Sequence, residues 1–303
     1  MRLLLNVSLV CWLLIFCRWS TAGVPTVSHV EVSDLTPKSF SVFWITSEPS
    51  TAELYLYQGD CITPFSGVDV TAQGNDSTGI LKVTVSGLSP NTTYCFQTVT
   101  KSKSTGDVTI YPNSPSPVTT EKRTNRIMTL NERMIPFAND VLRLPTVYLS
   151  PPTNTQEGVL VVLNILGEKQ TRPISLLLAE KSEYYFNLNN LFDPTTSENI
   201  NLSGGERIRI RELHGTSGCT IETFRRVPAD IELTGARNPE SCFIPEDLDC
   251  NNSVNILDIL RAVQWFGTST GAICFNSDID LNKDDTVNIL DILTVVGSFG
   301  ATP

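Results

Sequence analysis

Two stretches of this chain are near-copies: VNILDILRAVQWFG at 254–267 and VNILDILTVVGSFG at 287–300. A repeat this short cannot bury an apolar face alone, so the copies are expected to pack on each other. Each follows directly on a run of Asp and Asn. Between 246 and 303 there are nine acidic residues and two basic ones, so −7 of the chain's −10 charge lies in its last fifth. A fold built there has to neutralise that charge.

Counting back from the shared VNILD gives two twelve-residue loops, DLDCNNSVNILD (247–258) and DLNKDDTVNILD (280–291). In a calcium loop of this length the ion takes oxygens from positions 1, 3, 5, 7, 9 and 12, position 7 through its carbonyl. Those positions hold Asp247, Asp249, Asn251, Ser253, Asn255 and Asp258 in the first copy. In the second they hold Asp280, Asn282, Asp284, Thr286, Asn288 and Asp291. All are hard oxygen donors, which predicts two Ca2+ ions rather than a softer metal. Position 6, usually Gly because the turn needs a positive φ, is Asn252 or Asp285, the types that best tolerate that region. Position 12 is Asp rather than Glu. The same Asp and Asn residues would also cap the helices that follow.

No amphipathic helix precedes either loop, because SCFIPE is short and broken by Pro245. The pattern is a loop with one exiting helix, made twice, and it resembles the dockerin domain over residues 243–303. That resemblance implies a paired F-hand calcium module and a protein partner of the cohesin type or another extracellular protein. In each copy one stripe (Ile256, Ile259, Leu260 and Val263; Ile289, Ile292, Leu293 and Val296) repeats at helical spacing, and these stripes are expected to face each other. Leu257 and Leu290 then point elsewhere, with Arg261 and Thr294 one turn on, and form the candidate docking patch. The alternative is that the two leucines pack on the preceding module. Many dockerins carry hydroxyl residues at loop positions 10 and 11, where this chain has Ile-Leu.

The rest of the chain reads as mainly β. MRLLLNVSLVCWLLIFCRWSTAG has a basic start, an apolar core and small residues at a cleavage point, which predicts a signal peptide over 1–22 and an exported chain with no membrane span after it. Export makes disulfides of the remaining six cysteines, Cys61, Cys95, Cys219, Cys242, Cys250 and Cys274. Pairing by proximity along the chain gives Cys61–Cys95, Cys219–Cys242 and Cys250–Cys274, although sequence alone does not fix it. Residues 24–113 alternate with period two in SFSVFWIT and AELYLYQ, and LSPNTTY has the spacing of a tyrosine corner. With Trp44 on an early strand, this segment resembles a fibronectin type III or immunoglobulin-like sandwich. YPNSPSPVTTEKRT reads as a linker centred on 114–123, and strands over 124–240 suggest a second β-sandwich of no recognised family.

Several functions are disfavoured. An acidic chain offers phosphates little, so no nucleic acid is expected. His29 and His214 are the only histidines, which leaves thin material for nucleophilic catalysis. His214 lies near Ser217 in RELHGTSGCT but reads as an ordinary loop residue. Arg207, Arg209 and Arg211 line one strand face at period two, read as a solvated face. The expectation is a non-catalytic modular protein with a calcium-dependent tail. A small glycan-binding or hydrolytic module at 124–240 is the alternative, which an exposed aromatic platform or a carboxylate-lined cleft would favour.

Overall fold

The computed structural model describes residues 24–126, 146–149, 158–178, 184–229, 236–237 and 239–303. The expected signal segment 1–22 and the stretch PFANDVL at 136–142, whose sequence suits a helical turn or a surface loop equally, lie outside them. Among the described residues the chain is mainly β, with two α-helices near its end. None is long and apolar enough to cross a membrane.

The first seven strands form two antiparallel sheets. β1 (Val27–Ser33), β2 (Ser39–Thr46), β5 (Ile80–Ser86) and β4 (Asp69–Asn75) run in the order β1-β2-β5-β4. β3 (Ser50–Gln58), β6 (Thr93–Ser102) and β7 (Val108–Thr119) make the other, in the order β3-β6-β7. This is the arrangement of a seven-stranded constant-type immunoglobulin sandwich. Phe40, Val42, Trp44, Val83 and Val85 of one sheet meet Leu56, Tyr94, Phe96 and Val118 of the other. The tyrosine corner is present: the Tyr94 hydroxyl accepts the Ser89 N–H at 3.0 Å. The indole N–H of Trp44 is satisfied by Thr100 Oγ1 at 2.9 Å.

The expected linker is not one. Ser116, Pro117, Val118 and Thr119 pair with β6 inside β7. Proline is tolerated there because β7 is an edge strand, where a missing N–H breaks no central ladder.

The second sandwich-like pair joins β10 (Ile174–Leu177), β9 (Leu160–Leu166), β12 (Arg207–Leu213) and β13 (Thr220–Arg226), in the order β10-β9-β12-β13. The facing sheet is β11 (Tyr184–Asn187), β8 (Thr146–Leu149) and β14 (Ala236–Arg237), with β14 parallel to β8. Val161, Leu163 and Ile165 of β9 face inward against Val147 and Phe186.

The alternate residues of β9, Leu160 and Val162, are also buried, against Phe43, Ile80 and Leu213. The β1-β2-β5-β4 sheet therefore packs its outer face on the outer face of β10-β9-β12-β13. This is why SFSVFWIT and LVVLNIL are apolar on both faces. Polar groups seal the contact. Lys82 and Asp34 form an ion pair at 2.8 Å with both side chains buried, and Asp34 also accepts the Ser175 N–H at 2.8 Å. Burial would raise the Asp34 carboxyl, but Lys82 and these hydrogen bonds hold it below its ordinary value. Arg172 meets the buried Glu121 at 2.6 Å.

The arginine stripe is likewise not a free solvated face. Arg211 holds Glu31 of β1 at 2.6 Å, Arg209 lies 3.7 Å from Glu222, and Arg207 reaches the chain's acidic end. Burial pushes Glu31 up, yet hydrogen bonds and charge from His29 and Arg211 outweigh it and bring its pKa to about 2.

Candidate metal centre

Residues 239–303 pack on the β13 edge through a core shared with it: Cys219 and Ile221 beside Leu248, Val254, Ala262, Trp265, Ile279, Val287 and Val295. Arg225 pairs with Asp278 at 2.6 Å, and Arg261 pairs with Glu222 at 2.5 Å while lying over the Phe224 ring. One disulfide, Cys219–Cys274, completes the attachment and a second, Cys242–Cys250, closes within the end unit; here the expected pairing is corrected. Cys61–Cys95 forms as expected, but the other four pair as Cys219–Cys274 and Cys242–Cys250. Cys219 directly precedes β13, whose edge meets the segment holding Cys274, and Cys242 lies on the approach to the first loop, two residues after the Arg226–Glu240 bridge. Proximity in sequence carries neither fact.

Helices α1 (Ile256–Gln264) and α2 (Ile289–Gly297) begin inside the two loops. Asn255 caps α1 by accepting the Leu257 N–H, and Asp258 returns a bond to the Asn255 N–H; Asn288 and Asp291 repeat this at α2. This reciprocal box is worth about 1 kcal/mol or more per cap. The copies interlock symmetrically. The Val254 N–H donates to the Ala301 carbonyl and the Val254 carbonyl accepts the Gly300 N–H, while the Val287 N–H donates to the Thr268 carbonyl and the Val287 carbonyl accepts the Gly267 N–H. Gly267 and Gly300 sit at φ 84° and 85°, the left-handed stop that lets the chain leave each helix and turn back to the other copy's loop.

The loops share one backbone. Position 6 is left-handed in both, with Asn252 at φ 70° and Asp285 at φ 67°. Position 4 is left-handed too, with Cys250 at 54° and Lys283 at 57°, which the sequence did not signal. In the first loop the position 1 carboxylate, Asp247, accepts the N–H groups of Asn251 at 3.0 Å and Asn252 at 2.8 Å. In the second, Asp280 accepts those of Asp284 at 3.1 Å and Asp285 at 2.9 Å.

These contacts draw the carboxylates inward. Oxygens of Asp247, Asp249 and Asp258 lie within 4.8 Å of one another, and all three residues are buried. Burial pushes Asp247 and Asp258 above the ordinary aspartate range; the charge of Asp249 adds to both, and that of Asp258 adds to Asp247. Among the described residues the cation paired with them is Arg207, 3.7 Å from Asp249. Buried carboxylates this crowded are costly unless a cation joins them, and an all-oxygen set suits a hard divalent ion. Asp247, Asp249, Asn251 and Asp258 would hold it with the Ser253 carbonyl. In the second copy Asp280, Asp284, Asp291, Asn282 and the Thr286 carbonyl would do so. Asn255 and Asn288 already spend a side-chain oxygen on the helix cap. In the second loop Asp284 is exposed, and hydrogen bonds from Thr286, Asn282 and Asn288 hold its carboxyl below the ordinary range.

The helix faces differ from expectation. Ala262 and Val295 are fully buried and Ile259 and Ile292 partly so, whereas Ile256, Leu260, Val263, Ile289, Leu293 and Val296 are 45–56% exposed. The expected stripes do not face each other. Asp258 and Asp291 must turn toward their loops, and residues four and about seven positions on then turn inward with them. Leu257 and Leu290 are open at 51% and 54%, so they do not pack on the preceding sheets. Thr294 bonds back to the Leu290 carbonyl at 2.8 Å, and Arg261 is engaged inward by Glu222. Sequence reasoning therefore missed six of the eight exposed aliphatic positions; the phase set by the position 12 carboxylate is the signal that marks them.

Elsewhere, Ser217 Oγ donates to the His214 carbonyl rather than pairing with its ring, and His214 stands between β12 and the 3-10 turn Gly215–Ser217.

No protein-family profile and no curated protein matches the chain. Among solved structures it aligns with two interface mutants of a type II cohesin–X-dockerin complex from Acetivibrio cellulolyticus, at 14% and 15% identity. Each alignment covers 52% of this chain and 96% of the other, with a TM-score of 0.20. A marsupial T cell receptor aligns at 11% identity over 69% of this chain and all of its own, with a TM-score of 0.25. Scores this low decide neither fold nor partner.

Proposed function

We propose that this chain is an exported, non-catalytic modular protein whose end, residues 243–303, binds two Ca2+ ions and attaches the molecule to an extracellular protein of the cohesin type or similar. The ions complete the loops, the loops start α1 and α2, and the helices present the contact surface. The observation that carries the reading is the pair of equivalent open faces: Ile256, Leu257, Leu260 and Val263 on α1, and Ile289, Leu290, Leu293 and Val296 on α2. Eight half-exposed aliphatic side chains on a small acidic unit are a surface that water does not favour and a partner can cover. Disulfides in all three regions support an oxidising destination.

The test is capture of the full chain on an immobilised cohesin-type domain, with calcium and with EDTA. Leu257→Asp with Leu290→Asp should weaken capture at least a hundredfold while calcium uptake and helix content stay. Undiminished capture by the double variant, or capture indifferent to calcium, would sink the reading.

A further inference from the structure

The two loops have the same ligand positions and the same left-handed residues, yet only the first is cross-linked. Cys250 occupies position 4, between Asp249 and Asn251, and its sulfur is bonded to that of Cys242 eight residues back. The ring so closed contains Asp247 and Asp249, the residues at positions 1 and 3. Position 4 of the second loop is Lys283, an exposed residue in the same conformation, with φ 57° against 54° for Cys250. A left-handed φ costs a non-glycine residue free energy and is held only where its surroundings enforce it. In the second loop the enforcing contacts are hydrogen bonds, the loop's own and those that Thr270 donates to Asp285. In the first, a covalent ring adds to the equivalent hydrogen bonds.

We infer that the Cys242–Cys250 disulfide is a positioning element for the first ion: it holds Asp247 and Asp249 in the ion-binding conformation before the ion arrives, so that the first loop binds calcium more tightly than the second. The inference rests on the calcium reading of the loops. A ring this short removes unfolded-chain freedom that the ion would otherwise have to overcome. Loss of the bond should therefore weaken the first site on the order of ten- to fiftyfold and leave the second unchanged.

The experiment is a calcium titration of the full chain followed at the backbone amides of Asn252 and Asp285, the two position 6 residues, for the wild type and for Cys242→Ser with Cys250→Ser. The expected result is a wild-type Asn252 transition at lower calcium than that of Asp285, moved up at least tenfold in the variant while Asp285 stays. An unmoved Asn252 transition overturns the inference and leaves the calcium reading standing. A wild-type chain with no transition at either amide overturns both. Should the variant fail to fold, amide exchange of the calcium-free wild type decides. Asn251 and Asn252 donate to Asp247 as Asp284 and Asp285 donate to Asp280. The cross-linked pair should exchange at least tenfold more slowly, and equal rates overturn the inference.

Discussion

The two copies of the loop share seven of twelve residues and one backbone conformation, yet they sit in different surroundings. The first lies against β12 and β13, with Arg207 at Asp249, a disulfide at position 4 and three buried carboxylates. The second is more open: Asp280 and Asp291 are buried there, but Asp284 is exposed and satisfied by neighbouring Thr286, Asn282 and Asn288. A short sequence pattern fixes which oxygens meet. What those oxygens cost without an ion is set by what lies behind the loop. The first loop is more crowded and is held by a covalent ring as well as hydrogen bonds; the second is less crowded and is held by hydrogen bonds, its own and those from 267–270.

The largest expected asymmetry is in the shared core. Position 265 is Trp in the first copy, 6% exposed among Ile221, Ala262 and Val295, and its counterpart 33 residues on is Ser298. Trp265→Ala should destabilise the end unit by about 3–5 kcal/mol, and Ser298→Ala by under about 0.5 kcal/mol. Denaturant melts of both variants, read by helix content, check this. Equal losses would mean that the copies contribute alike and the comparison is only cosmetic.

Much of this arrangement was legible before any coordinates. The caps at Asn255 and Asn288 and the tyrosine corner at Tyr94 are local patterns, each settled within about five residues of chain. The β character of 24–113 followed from period-two alternation. What failed was non-local. The stripes Ile256–Val263 and Ile289–Val296 satisfied helical spacing, but short helices that are apolar nearly all round do not state their own phase. Only the carboxylates Asp258 and Asp291, committed to their loops, do. Residues 116–119 looked like linker because proline is scarce in strands, and an edge position lifts that rule. The partners of Cys219 and Cys242 depend on which sheet edge the end unit meets. The arginine stripe looked solvated because Glu31, Glu222 and Asp249, which meet it, come from three different parts of the chain.

Ion removal is the next largest test. Calcium at a hundred times its Kd stabilises each site by about 2.7 kcal/mol. Chelation withdraws that from both loops, but the first retains its disulfide, Arg207 and the sheet behind it. EDTA should therefore melt α2 and leave α1 partly formed, removing roughly half of the helical signal in circular dichroism, with the strand signal intact. Complete loss of both helices together would show that the copies fold as one ion-dependent unit and that the sheet behind the first loop adds nothing. No change at all would remove the ions from the account.

The smallest effect isolates that sheet. Arg207 Nη1 donates to the Asp249 carbonyl at 3.2 Å and lies 3.7 Å from its carboxylate, with the guanidinium 5.5 Å from the Phe224 ring. Both side chains are mostly buried, so the contact is worth about 1 kcal/mol in the ion-free protein. Arg207→Ala should cost that much there. The same cation also repels an incoming divalent ion across the shared carboxylate, so its removal should tighten the first site by about threefold. The second site, with Lys283 exposed and no arginine at Asn282, should not respond. The two signs are opposite, which separates an electrostatic role from a merely structural one: loss of packing alone would lower ion-free stability and weaken the site together. Calorimetric titration of the variant against wild type reads both. Equal shifts at the two loops would mean that the sheet does not discriminate between them, and the difference in surroundings would have no energetic content.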